Sequence, residues 1–127
     1  MALEIPYAEV IGARRNNATG EPILTIGWRP EVEGRRGFVH GGVIGGLLEM
    51  ACYEALNLEF RDGEPRPRLK PINISIDYLR GGLMTETHAV AHIVRVGKRV
   101  ANATATCWQE DRSKPIATAR MHILLDR

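Results

Sequence analysis

Cysteine is nearly absent from this sequence: Cys52 and Cys107 are the only two. They lie far apart, each in an apolar pattern. That reads as two reduced core thiols of a cytosolic protein rather than a disulfide or a zinc pair. Excess charge is also missing. Seventeen Lys and Arg against 15 Asp and Glu leave a net +2, so nothing demands nucleic acid or a membrane surface as partner. No apolar run reaches the length of a membrane span. The opening residues, Met1-Ala2-Leu3-Glu4-Ile5-Pro6, lack the basic-then-apolar layout of a signal peptide, and the expected location is the cytoplasm. There are no internal repeats and no low-complexity segment. His88, His92 and His122 share no metal-ligand spacing, so no metal is expected. At 127 residues, the chain reads as one domain over residues 1–127. It can bury a core but not a deep cleft between two lobes, so a groove between subunits is a natural place for a sizeable substrate site.

What is present is a change of period. Residues 7–14 and 23–28 read as extended, joined by the turn Asn16-Asn17-Ala18-Thr19-Gly20, which together predict an opening hairpin. Residues 30–37 read as a polar, charged loop. The one long helical candidate covers residues 42–59 and is apolar nearly all round in its first half, a pattern that predicts burial on every side. Its early glycines and β-branched residues are poor helix formers, so packing must hold that end. The breaker-rich loop Arg61-Asp62-Gly63-Glu64-Pro65-Arg66-Pro67 follows. Then Ile72, Ile74, Ile76 and Tyr78 alternate with Asn73, Ser75 and Asp77, and Gly81-Gly82 breaks the run. Strands are expected over 85–96, 100–109 and 116–125, with turns at Gly97-Lys98 and over 111–114. Ala101, Ala103, Ala105 and Cys107 mark one small-residue face. Two strands, one buried helix and four strands predict an α+β fold, an antiparallel β-sheet wrapped around one long central α-helix, its outer face partly covered by another subunit.

Within the apolar run Val43-Ile44-Gly45-Gly46-Leu47-Leu48-Glu49-Met50-Ala51-Cys52, Glu49 is the exception, and it follows His40-Gly41-Gly42 at a short interval. A carboxylate there is costly unless it is hydrogen-bonded, paired or neutralised, and burial makes it a candidate base or nucleophile. A helix starting near Gly41 presents unpaired backbone N–H groups and the positive end of its dipole. Such an end suits a carbonyl oxygen that becomes negative during acyl transfer. Glu49, eight residues on at about 1.5 Å each, lies roughly 12 Å along the axis. One helix cannot aim both features at the same carbon. Two antiparallel helices from two subunits can, so the spacing favours a site shared across a two-fold axis. The plainer alternatives are glycines placed for close packing, and a glutamate that reaches solvent along a groove or pairs with an arginine.

Three stretches resemble the hotdog-fold acyl-CoA thioesterases of the phenylacetate-pathway and 4-hydroxybenzoyl-CoA branch. They are Gly37-Phe38-Val39-His40-Gly41-Gly42 with Leu47-Leu48-Glu49 downstream, the strand Ile72-Asn73-Ile74-Ser75-Ile76-Asp77-Tyr78-Leu79-Arg80-Gly81-Gly82, and the hairpin Val94-Arg95-Val96-Gly97-Lys98-Arg99-Val100-Ala101. The resemblance implies a hotdog fold and hydrolysis of an acyl-CoA or aroyl-CoA thioester. It implies no metal or redox cofactor, since coenzyme A is part of the substrate. It also implies a homodimer at minimum, often a homotetramer. Residue by residue, it gives Gly41 N–H the role of carbonyl donor and Glu49, from the neighbouring subunit, that of general base or nucleophile. His40 either positions the thioester or caps the helix. Val39, Gly42, Tyr53, Asn73, Gly97, Lys98 and Arg99 are the implied substrate contacts.

Two positions depart from the family pattern. Gly34 stands where Asn or Gln is common, and Tyr53 stands where a small hydroxyl residue often follows the acid. Tyr53, Asn73 and Ser75 are the possible replacements for that hydroxyl. Arg35, Arg36, Arg61, Arg66, Arg68, Lys70, Lys98 and Arg99 fall in loops and suit phosphate, Lys98 and Arg99 best by the resemblance. Trp28 and Trp108 read as packing residues, and Cys52 as inert core. Two other functions stay open: a non-catalytic acyl-CoA binder, and a hotdog hydratase or dehydratase, against which the tight His40-Gly41-Gly42 entry argues.

Overall fold

The computed structural model describes residues 5–16, 19–60 and 62–127. The expectations for residues 1–4, for Asn17 and Ala18 in the first turn, and for Arg61 lie outside the described residues. The chain opens on a short helix, α1, Pro6–Ile11, where extended structure was expected. Proline at the first helical position loses no hydrogen bond and presets φ. Gly12, at φ 72°, closes the other end, its N–H turned back onto the Ala8 and Glu9 carbonyls. Ala8 and Ile11, three apart, are buried, while Tyr7 and Val10 are exposed. The apolar spacing is thus helical. Extended chain begins only at β1, Arg14–Asn16, which pairs antiparallel with β2, Ile23–Ile26. The opening hairpin is present but shorter than expected.

The segment after β2 is not only a polar loop. A 3-10 turn at Pro30–Val32 buries Val32 completely. The chain then returns alongside itself: His40 N–H donates to the Val32 carbonyl at 2.8 Å, and Gly34 N–H to that of Phe38 at 3.0 Å. These bonds fix the entry to the long helix, α2, Gly41–Asn57.

Four further strands follow: β3, Arg68–Tyr78; β4, Thr87–Val96; β5, Val100–Trp108; and β6, Ala117–Asp126. The sheet order is β1-β2-β4-β5-β6-β3, and every neighbouring pair is antiparallel. The alternation read in the sequence sets its faces. Ala101, Ala103, Ala105 and Cys107 of β5 are all buried beneath α2, as are Ala117, Ala119, Met121, Ile123 and Leu125 of β6. Small side chains there let the helix approach closely. This is the expected α+β hotdog layout, one sheet wrapped round one central helix.

The helix is not buried on every side, as its composition suggested. Val43, Ile44, Leu47, Leu48, Ala51, Cys52, Ala55 and Leu56 are enclosed, but a stripe of Gly42, Gly46, Glu49 and Tyr53 stays open. A sheet on one side cannot cover the other. At the sheet's edge, β3 is mostly exposed. Pro71 is tolerated there because an edge strand has one unpaired side. The β3–β6 ladder shifts register between Pro71 and Asn73, which leaves Ile72 exposed.

Candidate active site

The first turn of α2 satisfies all but one of its donors. His40 is the N-cap, and its Nδ1 accepts from Gly42 N–H at 2.8 Å. The ring proton of a neutral His40 therefore sits on Nε2. Val43 and Ile44 N–H both donate to the His40 carbonyl, at 3.0 and 3.1 Å. Gly41 N–H has no acceptor among the described residues. It belongs to the same peptide unit whose carbonyl takes those two bonds, which polarises the N–H further. The helix dipole adds to it. An unpaired, polarised donor at a cleft fits an oxygen that gains negative charge.

That cleft has a volume of about 320 Å³, and Gly34, Arg35, Phe38, Val39, Tyr78 and Arg80 are among its walls. Val39 is buried and tied by its N–H to the Gly82 carbonyl at 2.9 Å. The Arg35 guanidinium lies over the Phe38 ring, 4.8 Å from its centroid. Tyr78 O–H donates to the Gly41 carbonyl at 2.8 Å, and its ring would stand 3.6 Å from a Cβ at position 41. Position 45 is more crowded, because a Cβ would come within 2.9 Å of Ile76 Cδ1. Gly34 also has a steric reason. A Cβ there would lie 2.8 Å from His40 Cα, so the Asn or Gln common in the resembling family has no room in this loop.

Glu49 opens onto a different cleft of about 400 Å³, lined by Ile5, Tyr7, Gly42, Gly46, Met50 and Tyr53. Tyr53 O–H donates to Glu49 Oε1 at 3.3 Å, an i, i+4 contact on the open stripe. Among the described residues the glutamate pairs with no arginine, and it follows the groove alternative. Desolvation, then the Glu49 charge and this hydrogen bond, push the Tyr53 phenol up to about 12, so Tyr53 remains a donor. Burial, then Glu49, pushes the Cys52 thiol up to about 12 as well. Cys52 and Cys107 are free and buried, the inert core thiols expected.

The other expected contacts lie apart from both clefts. Asn73 Oδ1 is 2.9 Å from His122 Nδ1. Its strand parity, opposite to that of Ile74, Ile76 and Tyr78, puts it with Ser75 on the sheet face away from α2. Gly97, Lys98 and Arg99 form the β4–β5 turn, with Gly97 N–H on the Val100 carbonyl at 2.9 Å and Arg127 Nε on the Lys98 carbonyl at 3.0 Å. Val100 and Lys70 both register with Leu124. The turn is therefore about eight strand residues, roughly 26 Å, from Tyr78 along the sheet. One chain brings His40, Gly41 and Val39 together at one cleft, and Glu49, Tyr53 and Gly42 at another. Tyr78 and Tyr7 were missed as site residues. The inward parity of Tyr78 with Ile74 and Ile76 was the available signal, while Tyr7 was hidden by the extended reading of its segment.

The thioesterase superfamily model matches residues 36–116. A Chromobacterium violaceum protein of solved structure is 33% identical, over 98% of this chain and 85% of its own, with a TM-score of 0.76. A Bacillus halodurans protein solved with CoA is 21% identical, over 100% and 82%, with a TM-score of 0.84. A phenylacetic acid degradation-related protein from Ralstonia eutropha is 20% identical, over 97% and 92%, with a TM-score of 0.78. No curated protein matches the chain.

Proposed function

The chain belongs to the thioesterase superfamily, and from that premise we propose that it hydrolyses an acyl-CoA or aroyl-CoA thioester to free acid and CoA, at sites shared between two subunits. The observation that carries this reading is the lone unpaired donor of the first helical turn, Gly41 N–H. It donates a hydrogen bond to the thioester carbonyl oxygen of a substrate held in the adjoining cleft. The partner's Glu49 supplies the carboxylate. Acting as general base, it takes a proton from water, whose oxygen attacks the carbonyl carbon. Acting as nucleophile, it attacks directly, and water then cleaves the resulting anhydride. In both routes the tetrahedral oxyanion is held by Gly41 N–H. Its collapse breaks the C–S bond, and the CoA thiolate leaves and is protonated.

Sharing is supported by distance. Gly41 and Glu49 of one helix stand roughly 12 Å apart and open onto separate clefts. The open stripe of α2 and the exposed edge strand β3 are the surfaces a second copy would cover. Tyr53 holds one carboxylate oxygen and leaves the other for chemistry. The Bacillus halodurans protein, solved with CoA, supports a CoA ester as substrate. Among the described residues no helix is long and apolar enough to cross a membrane.

A thiol-release assay over short, long and aromatic CoA esters tests the reaction. Glu49→Gln should abolish release, with the oligomer intact by light scattering. Full activity in that variant rejects the assignment. The contact of Gly34 with His40 favours one second reading, a non-catalytic acyl-CoA binder that lacks the family's second carbonyl contact. In that case the esters raise the melting temperature, yet no member of the panel yields thiol.

A further inference from the structure

Tyr7 plays no part in the mechanism above, yet it is seated with unusual closeness. A Cβ at Gly46 would lie 2.6 Å from Tyr7 Cε2 and 3.4 Å from Cδ2. The ring therefore rests on the bare backbone of α2, where no other residue leaves room for it. Its seat is firm. Ala8 and Ile11, each 1% exposed, anchor α1 to the core, and Pro6 and Gly12 fix its two ends. Tyr7 itself is 40% exposed and forms a wall of the Glu49 cleft together with Ile5 and Met50.

Position on the helix gives this wall a meaning. The open stripe runs Gly42, Gly46, Glu49, Tyr53. Glu49 thus lies between two rings, Tyr7 on the N-terminal side and Tyr53 one turn towards the C-terminus. On the reading above, on which this inference rests, the acyl carbon reacts at Glu49, so the acyl group occupies the space these side chains bound. An extended alkyl chain running along the stripe meets the edge of the Tyr7 ring, with no gap between ring and helix. We propose that Tyr7, seated on Gly46, is the specificity-determining residue that limits the length of the acyl group. The site takes compact acyl groups and rejects long straight chains.

Apolar pockets discriminate by about 10- to 200-fold per methylene-sized misfit. Thiol release from acetyl-, butyryl-, octanoyl- and palmitoyl-CoA by the full chain reads the effect as a ratio of kcat/KM. Tyr7→Ala should raise the long-to-short ratio by about tenfold or more. Gly46→Ala should move it the same way, because its methyl displaces the ring. Tyr7→Phe keeps the ring and should keep the wild-type ratio. If Gly46→Ala does not fold, Tyr7→Ala decides alone, since it trims a surface side chain. Glu49-dependent hydrolysis with an unmoved ratio in Tyr7→Ala overturns this inference and leaves the reaction standing. No thiol release from any ester by the wild type overturns both.

Discussion

Gly41 differs from its neighbours by one unpaired donor, and proline is a clean way to remove it. Proline at the first position of a helix loses only an N–H that has no helical partner. The residue before a proline must be extended, and His40 already is, at φ −59° and ψ 133°. Gly41→Pro should therefore fold like the wild type by circular dichroism and lose about 100- to 1000-fold in kcat. Activity close to wild type would show that the carbonyl is held elsewhere. The two cysteines make a separate, structural prediction. Burial raises both thiols from an ordinary 9.0 to about 12. Folding thus favours the neutral thiol over the thiolate. This part of the stability is fully present below about pH 9 and is lost as pH rises towards 12. The urea midpoint should be insensitive to these groups up to about pH 9 and fall above it. In Cys52→Ala the fall should be smaller. The same alkaline decline in a Cys52→Ala, Cys107→Ala double variant would assign it to other groups.

Elements show which parts of the fold are written locally. The strands β5 and β6 were legible because each alternates. Strand β4 was legible from the breaks at Gly81-Gly82 and Gly97-Lys98 that bracket it, its own alternation failing at Ala89-Val90-Ala91 and at the register shift after Ile93. The Ala101, Ala103, Ala105, Cys107 face faces the helix as its period requires. The helix α2 was legible from its length and apolar run, with only its ends displaced. The first helix, α1, was not. Six residues carry less than two turns of pattern, too short a window for the helical spacing of Ala8 and Ile11 to stand out. Its Pro6 and Gly12 were the better signal. The open stripe on α2 was invisible for another reason. Gly42 and Gly46 count as apolar-compatible in a run, and only the sheet's position reveals which side lacks a cover. Close approach of α2 to β5 also makes a prediction. Ala103 is 2% exposed beneath the helix, so Ala103→Leu should overpack the interface. The expected loss is about 1–3 kcal/mol in urea denaturation. A neutral result would mean that the helix and sheet have slack that the alanine face does not suggest.

In the molecule as a whole, Gly41 and Glu49 open onto separate clefts of one chain, and the proposed reaction needs a second copy to unite them. Part of this was legible in the sequence, since the eight-residue offset between Gly41 and Glu49 already forbids a site within one helix. The resemblance pointed to the Gly41 N–H, but the reason that donor of the first turn stays free was not legible, because it depends on His40 folding back onto Gly42 and on the doubled bonds to the His40 carbonyl. Shared sites can be separated by mixing two inactive variants. In a dimer of Gly41→Pro with Glu49→Gln, one site carries both defects and the other carries neither. Random pairing makes half of the dimers mixed, each with one intact site of two. Co-expressed Gly41→Pro and Glu49→Gln should thus recover about a quarter of the wild-type rate of thiol release. Each variant alone should stay near the background. Heterodimers, verified by differential tags, that remain as inactive as their parents would contradict a site built from the Gly41 amide of one subunit and the Glu49 carboxylate of the other.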